Sequence, residues 1–224
     1  MTEDQLNRFQ EFFQKQQLDA AYDVVAEAIL CNEADWNALY IAGTIHRYKN
    51  DFRGAIRFYT KALRYNAQEP AIWQALGIAH QLLDELPSAI DALNAAIKLN
   101  PGSYEAHNSL GITYELARDY PSAIRAFEWA QEVCVNRAFE EVKRDHPEYF
   151  RTEQRGQERI LHANQAYMEA VRQILVTDFN YFNVLKNMVQ CYMEMGDHKR
   201  AHELQDHVDT CTPINVDIIG PFRQ

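Results

Sequence analysis

Gly43, Gly77 and Gly111 stand 34 residues apart, and Ala21, Ala55, Ala89 and Ala123 keep the same step, as do Ala28, Ala62, Ala96 and Ala130. Three ladders in one register mean that the chain is built from copies of one supersecondary unit, each stacked on the next, rather than around a single closed core. The copy that begins near Pro70 is the fullest. Trp73, Leu76, Gly77 and His80 recur at the spacing of one helix face, and so do Ala89, Leu93 and Ala96. Between the two halves lies a short polar break, Asp84-Glu85, matched by Asn50-Asp51 and Arg118-Asp119 in the neighbouring copies. Each unit is therefore predicted to be helix, tight turn, helix. Pro70 and the cluster Asn100-Pro101-Gly102-Ser103 stop one helix and start the next.

The small residues carry a packing argument. Glycine inside a helix costs about 1 kcal/mol relative to alanine, so its return at one place implies two helices too close for a larger side chain. The alanines make the same statement from the partner helix. Tyr59, Leu93 and Phe127 follow their alanines by four residues and are expected to fill the remaining space. Truncating one of them to Ala should cost about 3–5 kcal/mol, and Trp73 is placed in the same class.

The string Trp73-x2-Leu76-Gly77-x2-His80, then Ala89-x3-Leu93, then Pro101, resembles the tetratricopeptide repeat, and Leu110-Gly111-x2-Tyr114 followed by Ala123-x3-Phe127 repeats the pattern. Three consecutive copies in register cover about residues 36 to 135. The resemblance implies an all-α fold, a right-handed α-solenoid of stacked antiparallel helix pairs, over residues 1–209. The expected units are a degenerate opening repeat over 2–35, with Phe9 where the others have glycine, then 36–69, 70–103 and 104–137. An expanded repeat at 138–181 and a last one at 182–209 follow. Tyr192, Gly196, Asp197 and Ala201 mark the last, but Ala201 lies 78 residues after Ala123, about ten more than two periods.

The extra residues are assigned to the charged stretch Arg137 to Gln157, where Asp145-His146-Pro147-Glu148 has the form of a helix start with proline in its first turn. Whether the insertion prolongs the helix ending near Val135 or forms a separate short helix is open from sequence. The segment is expected to have a function, since insertions in regular arrays often map to a binding face. A helical period returns from Ile160 to Leu175, through Leu161, Tyr167, Ala170, Val171 and Ile174. Pro213, Gly220 and Pro221 make 210–224 an expected irregular tail.

Composition bounds the function. The net charge of −10 argues against a nucleic-acid surface, and no apolar run approaches the roughly 18 residues of a membrane span. The acidic start Met1-Thr2-Glu3-Asp4-Gln5 gives a cytoplasmic expectation. Cys31, Cys134, Cys191 and Cys211 show no C-x2-C pairing and are read as reduced thiols. Arg53, Arg57, Lys61 and Arg64 run at helical spacing and are read as a solvated outer face, with a docking stripe for an acidic partner as the alternative.

A stack of helix pairs leaves an extended surface lined by the first helix of each pair. The side chains opposite the small-residue contact are Tyr40, Thr44 and Arg47, then Gln74, Ile78 and Gln81, then Asn108, Ile112 and Glu115. Amides can bond a peptide backbone, while Tyr40, Ile78 and Ile112 can take apolar side chains; packing of the two isoleucines against the adjoining repeat is the alternative. Co-chaperone members of the family hold an acidic C-terminus through several converging cations. Here Leu6, Gln10, Tyr40, Thr44, Gln74 and Asn108 occupy those faces and Arg47 is the one cation, so such a clamp is disfavoured. Glu115 points instead to a neutral or basic ligand.

No phosphate loop, nucleophile elbow or H-E-x-x-H string is present. His46 and His80 hold equivalent places and are read as packing residues. His198 and His202, with Asp206 and Cys211 beyond, are the one metal-like group, and they are read as exposed polar histidines. The chain is thus read as a non-enzyme without a cofactor, a scaffold or adaptor binding another protein. The alternative is a self-associating assembly element, possible as a homo-oligomer, or the docking subunit of a separately encoded enzyme.

Overall fold

The computed structural model describes residues 1–155, 158–163 and 165–210, with side chains outside 149–166 and 210. These residues form helices α1 (Glu3–Gln14), α2 (Leu18–Cys31), α3 (Trp36–Tyr48), α4 (Phe52–Tyr65), α5 (Pro70–Gln81), α6 (Leu86–Leu99) and α7 (Tyr104–Leu116) in a first compact unit, Met1–Ala117. A second unit, from Arg118, holds α8 (Tyr120–Asp145), strands β1 (Phe150–Arg155) and β2 (Glu158–Ala163), α9 (Gln165–Thr177), α10 (Phe179–Glu194) and α11 (His198–Thr210). In the first unit α1–α2, α3–α4 and α5–α6 are each helix, turn, helix, as read from the sequence.

The turns explain why the period is kept so strictly. Gln16, Asn50, Asp84 and Arg118 each take a left-handed conformation, with φ between 57° and 60°. The next residue then donates back across the helix end, Asp51 N–H to His46 C=O at 2.9 Å and Glu85 N–H to His80 C=O at 3.0 Å. Gly196, with φ of 76°, does the same for α10 and α11. The following acid caps the second helix: Asp51 accepts from Gly54 N–H at 2.9 Å and Asp119 from Ser122 N–H at 3.3 Å. Second helices stop at Asn32, Asn66 and Asn100, and the first two of these side chains accept a backbone N–H two residues on.

Within the first unit each helix packs on its neighbours in sequence, and first helices also touch one another, α3 with α5 and α5 with α7. Tyr59 and Leu93 are fully buried, with Leu39, Ile45 and Ile72. The close approach inferred for the glycines is real at two of them: a methyl group on Gly43 would lie 2.6 Å from the Tyr59 ring, and one on Gly77 would lie 2.7 Å from Leu93 Cγ. Trp73 departs from expectation. It is half-buried, and its indole N–H donates to the Ala67 carbonyl at 2.8 Å, tying the inter-repeat loop to α5.

In the second unit the insertion prolongs the preceding helix. α8 runs 26 residues, past the boundary expected at 137/138, because Cys134 stands where Asn would end it. Its added turns bury Val135, Ala138, Phe139 and Val142, and both α9 and α10 pack against α8. The helix start expected at Asp145 to Glu148 is a single 3-10 turn, Pro147–Tyr149. It leads straight into β1, which pairs antiparallel with β2 from Phe150 opposite Ala163 to Arg155 opposite Glu158. Ile160 and Leu161, read by sequence as the start of a helical period, therefore belong to a strand. Strand formers interrupted by charge, Phe150-Arg-Thr and Arg159-Ile-Leu-His, fit that assignment better than a helix. Of the tail expected at 210–224, Thr210 ends α11 and the rest lies outside the described residues.

Candidate functional site

The nine side chains singled out by sequence lie on α3, α5 and α7, three first helices of one unit. Every one of them, Tyr40, Thr44, Arg47, Gln74, Ile78, Gln81, Asn108, Ile112 and Glu115, is half-buried. Core residues of the same helices, such as Leu39, Ile72 and Ala106, are completely buried. The row is therefore a face beside the core and not part of it. Three residues missed by sequence flank it: Tyr48, Leu82 and Leu116, again 34 apart, are 54%, 48% and 54% exposed at the ends of the same helices. Their period was a signal available in the sequence, hidden because each sits next to the turn.

The α3 part of the row is polar and ordered. Thr44 Oγ1 donates to the Tyr40 carbonyl at 3.0 Å, and it lies 3.3 Å from the Tyr59 hydroxyl. A threonine has one proton to give, so the Tyr59 O–H donates to Thr44. Tyr40 and Tyr59 rings are 5.8 Å apart. Burial pushes the Tyr59 phenol up, opposed by Thr44 and by the adjacent Arg47 guanidinium. Arg47 also lies 5.0 Å from the centre of the Tyr48 ring, which meets Phe13 edge-on at 5.1 Å.

The other candidates separate from this face. His46 Nδ1 meets the Asp51 carboxylate at 2.8 Å, and His80 Nδ1 meets Glu85 at 2.6 Å. Both histidines thus tie a first helix to the cap of the second. His46 in addition stacks near Phe58 and Tyr22, as a packing residue would. Asp51 is held below the ordinary carboxylate value, chiefly by the Gly54 backbone N–H and then by His46. Arg53, Arg57 and Arg64 are exposed on α4, with Lys61 half-buried beside them. His202 turns its Nδ1 onto the His198 carbonyl at 2.6 Å. Among the described residues no three His, Cys, Asp or Glu side chains are grouped to hold a metal, and Cys211 lies outside them. No helix among them is long and apolar enough to cross a membrane.

The tetratricopeptide-repeat family model matches residues 40–96 and 75–132. No curated protein sequence matches. Among solved structures, MamA from residue 41 to its end, from Desulfovibrio magneticus RS-1, superposes with a TM-score of 0.67 at 16% identity, covering 92% of each chain. A second MamA structure gives 0.67 at 15% identity over 98% of this chain and 96% of that one. YrrB, described as a TPR protein with an unusual peptide-binding site, gives 0.61 at 16% identity over 96% and 89%. At these identities the likeness concerns the fold.

Proposed function

Because this chain is a tetratricopeptide-repeat protein, with repeats matched over residues 40–132, we propose that it is an interaction scaffold whose first-helix face binds an extended segment of another protein. The observation that carries this reading is the row of half-buried side chains on α3, α5 and α7, flanked by exposed Tyr48, Leu82 and Leu116. Apolar surface that the fold's own packing leaves uncovered, repeated at one place per helix, is what a segment with apolar side chains would cover. Gln74, Gln81 and Asn108 offer amides to its backbone. YrrB, with a similar fold, is described as having a peptide-binding site, which is support by analogy only.

The segment is neutral or basic in net charge. A chain of net charge −10 repels acidic partners at long range, and Glu115 sits in the row. The test is affinity capture from cells with wild type beside Tyr40→Ala, Gln74→Ala, Asn108→Ala, the triple variant first shown by circular dichroism to keep its helix content. Partners held by wild type and lost by the variant are expected. Identical partner sets would contradict the reading.

A further inference from the structure

Arg47 differs from every other cation in the first unit in how it is held. Its guanidinium lies 5.0 Å from the centre of the Tyr48 ring, and its charge acts on the Tyr59 phenol. The Tyr59 proton is committed to Thr44, and the Thr44 proton to the Tyr40 carbonyl, so neither hydroxyl has a proton left for a ligand and the cation is the donor at this place. The Tyr48 ring thus supports one charge beside this polar cluster. That charge is permanent. Among the described residues no carboxylate pairs with it, although acids outnumber bases 32 to 22 in the sequence.

The arrangement belongs to this repeat alone. Where α3 has Thr44 and Arg47, α5 has Ile78 and Gln81 and α7 has Ile112 and Glu115; the Tyr59 place is taken by Leu93 and Phe127 in the later repeats. A half-buried guanidinium loses part of its hydration, and the aromatic and hydroxyl groups around it do not neutralise it. What completes such a site is an anion of matching shape. We propose that Arg47 is the anchor for one acidic side chain, Asp or Glu, within the bound segment, with aliphatic residues of the segment following over Ile78, Leu82, Ile112 and Leu116.

The inference rests on the peptide-binding reading above and adds a sequence requirement to it. α1 precedes α3 in the stack and carries Leu6 and Gln10 at the places that match Tyr40 and Thr44, so the face open to a segment continues past Arg47. This selects an internal acidic side chain over a terminal carboxylate. Three helices at about 8–10 Å per step are spanned by about seven extended residues at roughly 3.3 Å each. One acid in seven residues is consistent with a segment that is neutral or basic overall.

The probe is a random heptapeptide library displayed on phage, selected on the whole chain. Enriched sequences are synthesised with amidated C-termini and measured against wild type, Arg47→Gln, Tyr59→Phe and the double variant Gln74→Ala, Asn108→Ala. Tyr59→Phe keeps a core aromatic that the fourth repeat already uses in the form of Phe127. Enriched peptides should share an Asp or Glu at one place. Changing that residue to its amide, or Arg47 to Gln, should weaken binding about tenfold to a hundredfold, and the two changes together should cost no more than either alone. Tyr59→Phe should narrow the preference for acid over amide without abolishing binding.

Peptides that depend on Gln74 and Asn108 but carry no acid, or bind Arg47→Gln as well as wild type, would overturn the inference and leave the peptide-binding reading standing. Peptides in which the acid can be replaced by amide once a free C-terminal carboxylate is restored would overturn the choice of an internal side chain. A library yielding no peptide sensitive to any of these variants would overturn both.

Discussion

At the scale of single residues, the fold depends on places where one atom more does not fit. Gly77 lies against Leu93, and a methyl group there would also come within 3.2 Å of the Ala89 carbonyl. Backbone cannot move aside as a side-chain tip can. Gly77→Ala is therefore expected to destabilise by about 1–3 kcal/mol, outweighing the roughly 1 kcal/mol that alanine gains in helix propensity; urea unfolding measures it. Gly54 has a different reason, since a side chain there would run into the His46–Asp51 pair. The Asp51 carboxyl is shifted below its ordinary value, so its contribution is present above that value, about pH 4, and is lost as pH falls through the folded one. Thermal melts between pH 5 and pH 2 should show wild type losing more stability than Asp51→Asn, with the difference vanishing at the acid end.

At the scale of elements, the sequence was legible wherever a period was intact. Helix pairs, turns and the burial of Tyr59 and Leu93 followed from ladders that can be counted. The insertion was not legible, because two weak signals competed. Absence of Asn at position 134 was the sign that α8 continues, but it is a missing stop and not a positive pattern. Ile160 and Leu161 fitted helical spacing to Val171 by coincidence of a short apolar run. What fixes α8 and α9 together is visible in the structure: the buried Tyr167 hydroxyl donates to the Phe139 carbonyl at 3.0 Å, with the rings 5.5 Å apart. Burial, followed by Glu140, pushes that phenol up to about 12.

Tyr167→Phe should cost about 1 kcal/mol and should lower the unfolding midpoint while leaving peptide binding at α3, α5 and α7 unchanged. The hairpin of β1 and β2 is a separate matter. A lone two-stranded sheet is marginal by itself, and we propose that it serves binding and not stability. Replacing residues 149–164 by a short Gly-Ser linker should leave the melting temperature within a few degrees and remove at least one captured partner. Unchanged partners would argue against that role. A deletion beginning at residue 138 would be uninformative, because Ala138, Phe139 and Val142 are core.

At the scale of the whole molecule, repetition decides what is generic and what is individual. The period sets the stack of the first unit, whose repeats share it; the departures from period at Thr44, Arg47 and Tyr59 set apart one place in the row. Sequence reasoning found the row because side chains opposite a small-residue contact face the free side of a helix. It gave no weight to Tyr59 as part of the site, since a residue filling the core was not expected to present its hydroxyl to the neighbouring face. On the proposed reading, the face of α3, α5 and α7 holds another polypeptide. Methyl NMR of isoleucine-labelled protein titrated with a selected heptapeptide checks this. Shifts at Ile78 and Ile112, with Ile56 on α4 and the buried Ile72 still, are the predicted result; shifts confined to Ile56, or resonances that broaden with protein concentration and ignore the peptide, would contradict it.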